Sequence, residues 1–201
     1  MKKEIIIAVI VILSVSIYFS NMINRATAIK KAGSIICFGD SIASGHGLKR
    51  EDTFPYHLAL LIGEEVYNTS YSGETTRQAL RRIQRDVLDL SPRLVIVEFG
   101  GNDPYRNIPL EETINNTELM VEAIQKIGAK AVIMLGEWNM LEADYLNAFR
   151  ELAKRKNVLL LEDEIRVTIN DPKLNFDGVH PTAQGHKILA DLIYQKIMPL
   201  L

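Results

Sequence analysis

The run Leu94-Val95-Ile96-Val97-Glu98-Phe99 is apolar at every position but Glu98, and it stops at Gly100-Gly101-Asn102-Asp103. A strand apolar on both faces belongs inside a parallel sheet covered by helices, because an open sheet would alternate apolar and polar residues. Glycines directly after such a strand mark the place where main chain can approach a ligand closely.

The pattern extends in both directions. Ser34–Phe38 is a short β-rich run ending in Gly39, and Glu65–Asn68 reads as another short strand. Downstream, Ala131–Leu135 and Val158–Leu161 repeat the apolar type. Helical spacing fills the intervals. Phe54–Ile62 reads as helix, and so does Thr75–Leu90 with Ala79, Leu80, Ile83, Val87, Leu88 and Leu90 on its apolar side. Leu110–Ile127 places Leu119, Met120, Ala123, Ile124 and Ile127 inward, and Leu141–Lys156 follows. Pro181 opens a last helix with Ile188, Leu189, Leu192, Ile193 and Ile197 inward, a first-turn position that proline tolerates. Alternating strands and helices predict an α/β fold, a three-layer α/β/α sandwich around a central parallel sheet. Sites in such sheets lie outside the carboxyl ends of the strands.

Of 23 basic and 25 acidic residues, five and one fall within residues 1–31, which leaves 18 and 24 in the remainder. That acidic body argues against nucleic acid as a partner. Cys37 is the single cysteine, so no intrachain disulfide can form.

Lys2 and Lys3 precede an apolar run from Ile5 to Phe19, and residues 1–23 read as a hydrophobic signal or anchor segment. Two readings stand. Ala26-Thr27-Ala28 has the small-x-small form of a signal-peptidase site. Extended through Met22 and Ile23, the run instead approaches the ~20 residues that span a bilayer. Basic residues flank both ends, so charge does not fix the orientation. Residues 24–33 form a linker and 34–201 the catalytic body. Either reading places that body outside the cytoplasm, membrane-anchored or released after cleavage.

Four clusters fall at strand ends: Gly39-Asp40-Ser41, Ser72-Gly73, Gly100-Gly101-Asn102-Asp103 and Asp177-Gly178-Val179-His180. Each alone has a bland reading. Gly-Asp-Ser is a common turn or helix N-cap, and Asp-x-x-His is often structural. Jointly they supply a nucleophile, a base with its carboxylate, and backbone N–H groups open to a ligand.

These four blocks, in this order, resemble the SGNH hydrolases, also called the GDSL esterase/lipase family. Phe38-Gly39-Asp40-Ser41-Ile42 is similar to the family's first block, with Ile42 where leucine is usual. Gly73 stands at the second block's glycine, Gly100–Asp103 at the third block, and Asp177–Pro181 at the last. Residues 41–48 and 68–76 further resemble the bacterial thioesterase/lysophospholipase/arylesterase subgroup. Pro104-Tyr105 and Gly136-Glu137-Trp138-Asn139 depart from the subgroup pattern, and these segments shape the acyl pocket in the family.

The resemblance implies a flavodoxin-like SGNH fold and a serine ester hydrolase acting on acyl esters, with thioesters or lysophospholipids as further substrates. Ser41 is then the nucleophile and His180 its general base, with Asp177 fixing the imidazole tautomer. The backbone N–H groups of Ser41 and Gly73 and the side-chain amide of Asn102 form the oxyanion hole. This mechanism requires no metal or organic cofactor. A carbohydrate or cell-wall O-acetylesterase uses the same constellation and is the alternative. A dinucleotide site is excluded, because no G-x-G-x-x-G follows the first strand. A non-catalytic binding module has no need of all five residues. Beyond the five, His46 belongs on the rim of the site, His57 and His186 on helices as surface or packing residues, and Cys37 in the core as an inert thiol. Glu98 pairs with a buried polar group or merely ends its strand. Asp40 and Asp103 brace the loops, and Trp138 lines the acyl pocket or packs in the core.

Overall fold

The computed structural model describes residues 33–136 and 143–201, with Ser16 the one described residue before Gly33. The expectations for the segment 1–23, for the linker and for Trp138 therefore lie outside the described residues. Among the described residues no helix is long and apolar enough to cross a membrane.

Five strands, β1 (Ser34–Gly39), β2 (Val66–Asn68), β3 (Pro92–Glu98), β4 (Lys130–Met134) and β5 (Leu159–Leu161), form one parallel sheet in the order β2-β1-β3-β4-β5. Successive side chains on a strand point to opposite faces, so the apolar runs split between two cores. Ile36, Phe38, Val95, Val97 and Ile133 enter one, and Ile35, Cys37, Leu94, Ile96 and Val132 the other.

On the first face lie α3 (Thr76–Asp86), α4 (Leu110–Lys126) and α5 (Ala143–Lys156), contributing Ala79, Ile83, Met120, Ile124, Phe149 and Leu152. On the second lie α1 (Ser41–Ser44), α2 (Phe54–Ile62), α6 (Arg166–Ile169) and α7 (Ala183–Ile197), contributing Ile42, Leu58, Ile169, Leu189, Ile193 and Ile197. The three-layer sandwich is the expected one.

Local departures have local causes. The helix expected over Thr75–Leu90 ends at Asp86, where Val87 leaves helical geometry (φ −132°, ψ −62°), and a separate turn spans Leu88–Leu90. Leu90 is exposed as a result. In α4, Leu119 is exposed, and so is Ile127 just beyond it, while Thr113, Asn116 and Thr117 are buried. Those polar residues find partners inside, so hydrogen bonding rather than apolarity sets that face. Pro181 precedes α7 instead of occupying its first turn. Thr182 is the N-cap and accepts from Gly185 N–H, while Pro181 bridges to Asn175. The helices α1 and α6, each of four residues, were too short to show a period.

Candidate active site

β1 delivers Gly39-Asp40-Ser41 to the carboxyl edge of the sheet. A Cβ on Gly39 would stand 2.6 Å from Glu98 Oε2 and 2.8 Å from Ala43 Cβ, so only glycine fits between β3 and α1. Asp40 caps α1 by accepting from Ile42 N–H at 3.2 Å. Ser41 is then the first helical residue, its side chain aimed at the segment that carries His180.

That segment is closed on itself. Phe176 N–H donates to His180 O at 2.9 Å and Thr182 N–H to Leu174 O at 2.8 Å. Asn175 fills the loop from within. Its amide donates to Ile169 O and Asp171 O at 2.9 Å, and its oxygen accepts from Gly178 N–H at 2.7 Å. Asp177 Oδ1 accepts from the N–H groups of Val179 and His180, and its Oδ2 lies 2.8 Å from His180 Nδ1. His180 Nε2 lies 3.0 Å from Ser41 Oγ. With Nδ1–H donating to the carboxylate, Nε2 keeps its lone pair and accepts from the Ser41 hydroxyl. Partial burial works to raise the Asp177 carboxyl, yet the His180 ring and the two N–H groups outweigh it and hold the group at about 2. It stays anionic across the range in which imidazoles titrate.

The Ser72-Gly73 loop continues the β1 ladder past β2. Thr69 N–H donates to Cys37 O at 2.9 Å and Tyr71 N–H to Gly39 O at 3.0 Å. Gly73 has φ +77°, a conformation glycine adopts without strain, and its N–H has no acceptor among the described residues. Asn102 stands between this loop and Asp40. Its amide donates to Glu74 O at 3.0 Å and to Asp40 Oδ2 at 2.8 Å. Both amide hydrogens are thus engaged, which the sequence did not foretell.

Asp103, fully buried, accepts from Thr76 N–H, the Thr76 hydroxyl and the Thr113 hydroxyl. It braces the loop after β3 to the starts of α3 and α4, as expected. Tyr145 on α5 reaches the same loop from the other side, donating to Gly100 O at 2.6 Å. His46 stands at the rim against His180. His57 is half-buried on α2, and His186 is buried on α7 with Phe54 N–H donating to its Nδ1 at 3.0 Å. Cys37 is buried, and burial pushes its thiol pKa upward. Glu98 is buried beside Asp40 and accepts from the N–H groups of Asp40 and Ala43.

Arg82 escaped the sequence reading. Its guanidinium lies between the Phe38 ring, 4.4 Å away, and the Tyr71 ring, 4.3 Å away. It donates to Thr69 O at 2.6 Å, pairs with Glu74 and meets Asp86 Oδ2 at 3.0 Å. One side chain on α3 thereby grips both ends of the loop that carries Gly73. It is one of four arginines between residues 77 and 85, and spacing alone does not single it out. Among the described residues no group of three or more His, Cys, Asp or Glu side chains is placed to hold a metal ion.

Comparison with known proteins agrees with this geometry. The chain is 27% identical over 184 residues to the arylesterase of Vibrio mimicus, covering 86% of this chain and 92% of that protein. It is 27% identical over 183 residues to thioesterase 1/protease 1/lysophospholipase L1 of Escherichia coli strain K12, covering 84% and 85%. Among solved structures, TesA superposes with a TM-score of 0.76 at 23% identity, over 84% of this chain and 99% of that one. The psychrotrophic esterase EstA of a Pseudoalteromonas species gives 0.73 at 23% identity, over 83% and 97%. Residues 37–188 match the GDSL-like lipase/acylhydrolase family, so most of the chain is covered. The protein is therefore a hydrolase of ester bonds and belongs to the GDSL-like lipase/acylhydrolase family.

Proposed function

We propose that the protein cleaves acyl esters through a Ser41-acyl intermediate, with His180 as general base and Asp177 as its orienting carboxylate. The observation that carries this reading is the unbroken relay from Asp177 Oδ2 to His180 Nδ1 at 2.8 Å and from His180 Nε2 to Ser41 Oγ at 3.0 Å. Serine needs such a neighbouring base to act as a nucleophile. The developing oxyanion would take hydrogen bonds from the Ser41 and Gly73 N–H groups and from the Asn102 amide. The last of these is drawn away from Asp40 as charge builds on the substrate oxygen. Ser41→Ala should abolish hydrolysis of p-nitrophenyl esters while leaving the unfolding transition in place. Parent-level activity in that variant would overturn the reading.

Short to medium acyl chains fit best, with thioesters or lysophospholipids as further substrates. Exposed aromatic side chains surround the nucleophile: Tyr71 beside Gly73, Tyr105 after Asn102, and Phe176 beside Asp177. They offer apolar surface that an acetyl group has no use for. An O-acetylesterase is the second reading. The chain is 25% identical over 164 residues to the acetylxylan esterase of Geobacillus stearothermophilus, covering 68% of this chain and 73% of that protein. Profiling from acetyl to decanoyl esters, with acetylated xylan alongside, separates the two. Cleavage of acetylated sugar without cleavage of butyryl or longer esters assigns the enzyme to the second.

The proposal extends to place. Residues 1–23 would hold the catalytic body outside the cytoplasm, or be removed near Ala28. The support is the Lys2-Lys3 pair followed by the apolar run from Ile5. Protease shaving of intact cells tests it: a body digested from outside, or a shortened protein in the medium, is expected. A body protected from protease and found with cytoplasmic markers would reverse the assignment.

A further inference from the structure

Two carboxyl groups are buried together beneath the nucleophile, Asp40 with 1% and Glu98 with 2% of its surface exposed. They hydrogen-bond each other, and no lysine or arginine among the described residues answers either one. Glu98 Oε2 accepts from Asp40 N–H at 3.1 Å and Ala43 N–H at 3.2 Å. Asp40 accepts from Ile42 N–H at 3.2 Å and from the Asn102 amide at 2.8 Å. Two adjacent carboxylates cannot both ionise in a site that excludes water, so a proton must lie between them.

We propose that Glu98 is a positioning residue: its carboxyl O–H donates to the Asp40 carboxylate, and through Asp40 it sets the places of Asn102 and Ser41. This inference rests on the catalytic reading of Ser41 and Asn102 given above. The hydrogen bonds indicate which partner carries the proton. Asp40 has the larger set of donors aimed at it, from Ile42 and the Asn102 amide, with His180 acting on it from the loop before α7. Glu98 faces only Asp40 and, from β1, the Cys37 thiol as titratable neighbours. Burial raises Asp40 to about 6, while burial and the charge of Asp40 push Glu98 well above the usual carboxyl range. Asp40 is then the anion near neutrality and Glu98 the neutral acid. β3 supplies both ends of the device, Glu98 and, four residues on, Asn102.

Raising the pH until Glu98 loses its proton would set two charges side by side under α1. The Asn102 amide would shift with Asp40, so kcat should fall while KM changes little.

The test uses Glu98→Gln, whose amide can replace the O–H donor, and Glu98→Ala, which cannot. At neutral pH E98Q should keep kcat within about threefold of the parent, and E98A should lose about tenfold or more with little change in KM. E98Q should also hold its kcat at alkaline pH where the parent declines. Difference infrared spectroscopy should find the C=O stretch of a protonated carboxyl group at pH 7 in the parent, and it should vanish in E98Q. The same band is read in Ser41→Ala, so this inference and the catalytic reading can fail separately. If E98A does not fold, E98Q and the infrared band decide the matter. Absence of the band at pH 7, a fall in E98Q as large as in E98A, or the same alkaline limb in E98Q and parent would overturn the proposal.

Discussion

The His46 ring lies 4.8 Å from the His180 ring, tilted by 36°, and its Nδ1 is 3.0 Å from Ser72 Oγ. One imidazole therefore connects the loop after α1 to the residue preceding Gly73 while flanking the base. His46→Ala removes that bridge, and kcat should drop by about tenfold, the scale of a modest misplacement in an active site. His46→Asn, able to reach Ser72 by a hydrogen bond, should recover part of the loss. Steady-state kinetics on a butyryl ester reads both.

Asn102→Ala should lower kcat by ~10²–10³ with little change in KM, the loss typical of one oxyanion donor. Its amide also binds Asp40 and Glu74 O, so the variant leaves both acceptors unpaired. The unfolding midpoint in urea should therefore fall as well. A large KM effect at normal kcat would mean that Asn102 binds substrate instead.

Arg82→Ala should destabilise the protein by about 3–5 kcal/mol, because it strands a largely buried carboxylate in Glu74. It should also slow turnover, since Thr69, Tyr71 and Glu74 all lose their common anchor. Arg82→Lys keeps the charge but loses the planar fork between two rings, so it should fall between parent and alanine variant. Urea denaturation and kcat measured on the same preparations check both effects.

These features separate what the chain reveals from what it conceals. The strands were legible because burial on both faces leaves an unmistakable apolar run, and the site because glycine and polar residues interrupt those runs abruptly. The inward face of α4 was not, because Thr113, Asn116 and Thr117 are buried through hydrogen bonds that leave no hydrophobic period. The grip of Arg82 on Phe38 and the pairing of Glu98 with Asp40 join positions more than forty residues apart. A charged residue inside an apolar strand, as at Glu98, does signal a buried partner. It does not say which one.

His186 makes stability depend on pH. Burial, with help from His57 and His180, lowers its pKa from 6.5 to about 4, and its Nδ1 must stay unprotonated to accept from Phe54 N–H. The unfolded chain takes up a proton that the folded one refuses, so this contribution is complete above about 6.5 and is lost as pH falls toward about 4. On the order of 2–3 kcal/mol should disappear across that interval. His186→Gln should flatten the corresponding part of the stability profile measured by denaturant titration at stepped pH.

The closed segment from Leu174 to Thr182 has a consequence for how the enzyme moves. Its two ends are pinned to each other, and Asn175 ties its interior, so Asp177 and His180 travel as one piece. Breathing of the site then alters the gap between base and nucleophile without disturbing the imidazole's tautomer. The catalytic machinery has one adjustable joint, at His180 and Ser41, and a substrate that wedges it open leaves the base still charged for the next attempt.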